Sequence, residues 1–106
     1  MYQYKARLLR VVDADTVLLD LDLGFYQWRL GRSYRLARIN APELNTMAGI
    51  ASREALSNYL TMVVSYTVAT QKADSFDRWI IELYADGKNM SDWLVANGHA
   101  VYQAYR

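Results

Sequence analysis

Across residues 4–12 apolar and basic positions alternate, Tyr4, Ala6 and Leu8 against Lys5 and Arg7, the period of two that marks a half-buried strand. The phase slips at Leu8-Leu9, which predicts a bulge. Asp13-Ala14-Asp15 is a turn signal. Val17, Leu19, Leu21 and Leu23 then alternate with Leu18, Asp20 and Asp22 in a second strand, which Gly24 breaks. Residues 28–39 predict a third extended stretch with a bend at Gly31. Beyond Pro42 the period lengthens. Leu56, Tyr59, Leu60 and Val63 fall at i, i+3, i+4 and i+7, so an amphipathic helix is expected over 49–64. Residues 66–71 predict a fourth strand, 72–77 a polar loop, and 78–85 a fifth strand with Trp79, Ile81 and Leu83 on one face. Asp86-Gly87 turns the chain. A short last helix is expected, capped by Asn89 or Ser91 and stopped at Gly98.

Three strands, a helix, two strands and a helix do not alternate as βαβ units do. The order fits a mainly β, α+β chain: a five-stranded, twisted barrel with two helices packed on it, which reads as an OB-fold. That scaffold often binds nucleic acids or sugars, but a fold alone does not settle function. Residues 1–106 carry no repeat, low-complexity tract or linker, so a single domain is expected.

Composition narrows the chemistry. The 106 residues are 53% hydrophobic, enough for one core. With no cysteine and one histidine, His99, zinc-thiolate and His-rich metal sites are excluded. No apolar run is long enough for a signal peptide or a membrane span, so the expectation is a cytoplasmic monomer without a membrane partner. Net charge is +1, no global argument for nucleic-acid binding. Nine of the twelve cations are arginine, however, the residue whose fork matches phosphate.

Three polar clusters stand at the ends of apolar strands: Asp13 with Asp15; Arg35 with Asn40 and Glu43; and Arg78 beside Asp74 and Asp77. Carboxylate and amide oxygens are hard ligands suited to Ca²⁺ or Mg²⁺. Two arginines could hold a phosphate beside them, and a glutamate could orient or deprotonate a water. Taken singly, each cluster has a structural reading too: Asp13 and Asp15 as turn caps, Arg35 with Glu43 and Arg78 with Asp77 as ion pairs.

VVDADTVLL, YRLARINAPE, DSFDR and LYADGKNMSDWLVANGHA, in that order, resemble the motifs of the staphylococcal nuclease (thermonuclease) family over nearly the whole chain. The resemblance implies the same OB-fold barrel, here ending shortly after Tyr105 without the further C-terminal helix of the staphylococcal enzyme. It implies a hydrolase, a Ca²⁺-dependent endonuclease acting on DNA and/or RNA and leaving 3′-phosphate ends. By position it makes Arg35 and Arg78 the phosphate-gripping arginines and Glu43 the general base or water-positioner. Asp15, Asn40 and the Ala41 backbone carbonyl become the metal ligands. The alternative is a catalytically impaired nucleic-acid-binding or interaction module on the same fold. Asn40 stands where the family has a carboxylate, Ala14 where it has a turn glycine, and Phe76-Asp77 where it has Tyr-Gly. The first change predicts weak Ca²⁺ binding, and the second predicts strain in the turn if that position is left-handed.

Overall fold

The computed structural model describes residues 2–75 and 78–103. The chain runs β1 (Gln3–Asp13), β2 (Thr16–Gly24), β3 (Gln27–Leu36), β4 (Ile39–Asn40), α1 (Met47–Leu60), β5 (Tyr66–Ser75), β6 (Arg78–Ala85), β7 (Lys88–Asn89), α2 (Met90–Ala96) and β8 (Val101–Tyr102). Antiparallel pairing in the order β3-β2-β1-β5-β6 is closed by a parallel β3–β6 contact, with Tyr34 opposite Trp79 and Arg35 opposite Ile80. Closure turns five strands into an OB-like barrel.

The period of two does the sorting. Val17, Leu19 and Leu21 of β2, Tyr34 and Leu36 of β3, and Ile81 and Leu83 of β6 point inward and are buried. Leu56 and Leu60 of α1 and Met90 and Leu94 of α2 join the same core. Burying a side chain of that size contributes about 1.5–3 kcal/mol, so this cluster is the main stabilising term. The bulge expected at Leu8-Leu9 is present as a register shift between Leu8 and Arg10.

Three boundaries differ from the sequence expectation. α1 starts at Met47, because the Thr46 side chain accepts the Gly49 amide and caps it, and ends at Leu60 with Thr61 as its C-cap. β5 runs on to Ser75, since Lys72 and Ala73 pair with Ile80 and Trp79 although the stretch is polar. The third extended stretch stops at Leu36 and restarts as the two-residue β4, paired with β8. At the break, Arg38 takes a left-handed φ of 69°. Ala14 is buried and has no positive φ, so the Asp13–Asp15 turn accepts it without the expected strain. Phe76 and Asp77 lie outside the described residues.

Candidate functional site

The turn between β1 and β2 carries Asp13 and Asp15, and the end of β3 brings Arg35 against it. Arg35 Nη1 lies 3.2 Å from Asp15 Oδ2, and both side chains are nearly buried. The guanidinium also donates to the backbone carbonyl of Ile39 at 3.0 Å and, at longer range, to those of Leu36 and Asp15. A cation on an apolar strand is therefore compensated by a carboxylate and carbonyl dipoles. The Ala41 amide donates to the same Asp15 Oδ2 at 3.1 Å, which docks the chain after β4 onto the turn. Asp15, Arg35 and Ala41 thus meet at one point, from segments 20 and 26 residues apart.

The remaining three residues stand differently. Asn40 is exposed on β4, and its side chain makes no hydrogen bond among the described residues. Glu43 is exposed, and its carboxylate has no partner among them. Its backbone carbonyl accepts the Thr46 amide at 3.1 Å and hydroxyl at 2.6 Å. Gly49 packs so tightly on it that an added Cβ would lie 1.8 Å from that oxygen. The first turn of α1 therefore fixes where Glu43 leaves the backbone. Arg78 is half-buried at the start of β6 and shares the outer face of that strand with Ile80, the neighbour of Arg35 across the barrel seam.

Asp13 accepts the Asp15 amide at 3.1 Å. Burial, and then the hydrogen bond and negative charge of Asp15, push the Asp13 carboxyl from the ordinary 3.8 to about 6. Burial pushes Asp15 up too, but the hydrogen bond from Asp13, the Ala41 amide and Arg35 outweigh it and hold Asp15 below its usual value. The turn thus holds one ionised carboxylate supported by one that keeps its proton into the mildly acidic range.

This has a testable consequence for stability. The folded chain binds the Asp13 proton more tightly than the unfolded chain, so its stabilisation is complete below the ordinary 3.8 and is lost as pH rises through about 6. Asp13→Asn keeps an oxygen for the Asp15 amide and removes the charge. The variant is expected to melt above the parent protein near about pH 8, with the gap closing below about pH 4. Thermal unfolding in chelator across that range checks it; a gap independent of pH would mean that Asp13 is ordinary.

Among the missed residues, Arg38 carries the densest polar network. It pairs bidentately with the buried Glu82, Nε to Oε2 at 2.8 Å and Nη2 to Oε1 at 2.9 Å, and reaches Asp92 at 2.9 Å. Only its place in YRLARIN, after a run of apolar strand residues, hinted at this. A cleft of about 240 Å³ separates residues 40–42 from 98–101, and a larger cavity of about 610 Å³ lies at the barrel mouth. No protein-family model matches the chain, and no curated protein is significantly similar to it.

Proposed function

We propose that the chain is a Ca²⁺-dependent nuclease that hydrolyses DNA and/or RNA phosphodiesters and leaves 3′-phosphate ends. The observation that carries this reading is the meeting of an ionised Asp15, Arg35 and the Ala41 backbone at the end of the barrel. The donors fit a hard cation in kind: the Asp15 carboxylate, the Asn40 amide oxygen and the Ala41 carbonyl would hold it. Such an ion, when bound, supplies positive charge beside a phosphate oxygen. Arg35 and Arg78 orient the phosphate and compensate the charge that develops on its oxygens. Glu43, exposed and held at its backbone by the first turn of α1, takes a proton from the attacking water. Water adds to phosphorus, the bond to O5′ breaks, O5′ takes up a proton from solvent to leave as a hydroxyl, and the phosphate stays on the 3′ oxygen.

A nucleic-acid-binding module without catalysis is the second reading. Arg35 favours it, because Asp15 and three carbonyls already engage its guanidinium. Incubation of single-stranded DNA with and without Ca²⁺, with chelator as control and end-group analysis of the products, separates the two. Ca²⁺-dependent cleavage leaving 3′-phosphates supports the nuclease; intact DNA at saturating Ca²⁺ leaves the binding module.

Two variants probe the roles. Glu43→Gln is expected to lower kcat more than it raises KM, because the role belongs to the transition state. A loss confined to KM would make Glu43 a binding residue. Asn40→Asp adds an anionic ligand beside Asp15. Two unit charges ~4 Å apart interact by about 4 kcal/mol at an effective dielectric near 20, and repulsion and desolvation offset much of this. A net gain of about 1.4 kcal/mol, roughly tenfold tighter Ca²⁺ binding, is expected by calorimetric titration. Equal or weaker binding would remove Asn40 from the ligand set.

A further inference from the structure

We propose that the open mouth of the barrel is a base-binding pocket for single-stranded nucleic acid, with the β2–β3 hairpin tip as its rim. The proposal rests on the reading of the chain as acting on nucleic acid, but not on cleavage. The cavity measures about 610 Å³, inside the roughly 300–1,000 Å³ typical of small-ligand sites. It is walled by rings from three directions: Tyr4 with the stacked Tyr2, Tyr34 of β3, and Trp79 of β6.

Charge and shape select the occupant. Among the described residues lining the cavity none is acidic, and the one ionic group is Arg29. Arg29 donates to the Tyr34 hydroxyl and stands 5.2 Å from the centre of that ring, so its cation is fixed over the pocket wall. Flat aromatic walls with a cation at one side suit a base and its phosphate, since stacking accepts any base. An acyl chain would ask for aliphatic walls, and among the described lining residues only Leu21 and Leu23 are aliphatic.

The rim adds a separate observation. Leu23 leads from the cavity to Phe25 and Tyr26, which are 96% and 100% exposed. Both have left-handed φ, 54° and 60°, in a two-residue hairpin turn that Asn-Gly would make without strain. Bulky rings held in strained backbone and fully in water contribute nothing to the core; stacking gives them a use. The barrel seam joins this pocket to the site described above. Tyr34 and Trp79 face the mouth, while Arg35, the residue after Tyr34 on β3, and Arg78, the residue before Trp79 on β6, lie on the opposite face of their strands.

The test uses the whole chain in chelator, where cleavage is absent, and a fluorescein-labelled oligothymidylate read by anisotropy. Trp79→Ala is expected to weaken binding about tenfold or more. Phe25→Asn with Tyr26→Gly is expected to weaken it several-fold while raising the melting temperature, a combination that a purely structural tip would not give. Unchanged affinity in the folded variants, no binding by the parent protein, or sedimentation with phosphatidylserine vesicles in place of oligonucleotide binding each overturns the pocket. Binding without cleavage supports the pocket and removes only the nuclease reading. Cleavage with unaltered binding in the hairpin variant does the reverse.

Discussion

Arg38→Ala is expected to destabilise the fold by about 3 kcal/mol, the lower end of what breaking a buried ion pair costs. Glu82 is only 6% exposed and accepts both arms of the Arg38 fork, so truncation leaves a buried carboxylate without its cation. Gln71 and Asn89 still donate to Glu82, at 2.7 and 3.0 Å, and Arg38 itself is partly solvated; both facts hold the estimate down. The left-handed φ of Arg38 is no help to the variant, because alanine inherits the same strain. In a domain of this size such a loss lowers the melting temperature by roughly 10–20 °C. Denaturant unfolding of Arg38→Ala, Glu82→Gln and the double variant checks the mechanism: the double should lose less than the sum, because the stranded charge is gone. Additive losses would mean that the pair is not coupled.

The network also bears on the candidate site. Arg38 ties the turn after β3 to β6, to α2 through Asp92, and to Tyr102 of β8, whose hydroxyl donates to Asp92 at 2.8 Å. Its carbonyl accepts the Gln103 amide at 2.7 Å. Asn40 and Ala41 follow after Ile39, so their position relative to Asp15 depends on this anchor.

What could be read from the sequence was what local spacing encodes. The alternation of Val17, Leu19 and Leu21 and the helical period of Leu56 and Leu60 place inward faces without reference to any partner. The slip at Leu8-Leu9 declared the bulge for the same reason. Contacts that span the chain were not legible. Arg38 and Glu82 are 44 residues apart, and nothing near YRLARIN names its acceptor. The extension of β5 was hidden because Lys72 and Ala73 pair through backbone, which polarity does not report. The hairpin tip was illegible for the opposite reason: Gly24-Phe25-Tyr26-Gln27 lacks the turn chemistry its backbone adopts. At the candidate site the residue types and order were legible, while the opposite shifts of Asp13 and Asp15 needed the fold that buries them.

Arg35→Lys and Arg78→Lys are each expected to lower kcat by roughly 10²–10³, about 3–4 kcal/mol of transition-state stabilisation. Lysine keeps the charge but presents a point donor in place of the planar fork, so two phosphate oxygens cannot be held at once. The two variants should differ in stability. Arg35 is built into the turn through Asp15 and the carbonyl of Ile39, and a lysine cannot reach both in the same geometry, so a loss of about 1–2 kcal/mol is expected there. Arg78 stands half-buried at the start of β6, outside the Asp15 turn, so its lysine variant is expected to leave that turn intact. Unfolding curves and single-turnover cleavage, measured on the same preparations, separate the two effects. A fall in rate in Arg78→Lys with stability unchanged marks a phosphate clamp. If Arg35→Lys loses stability and cleaves at the parent rate once folded, its guanidinium serves only Asp15 and the strand end. Parent rates in both variants would end the assignment of either arginine to phosphate.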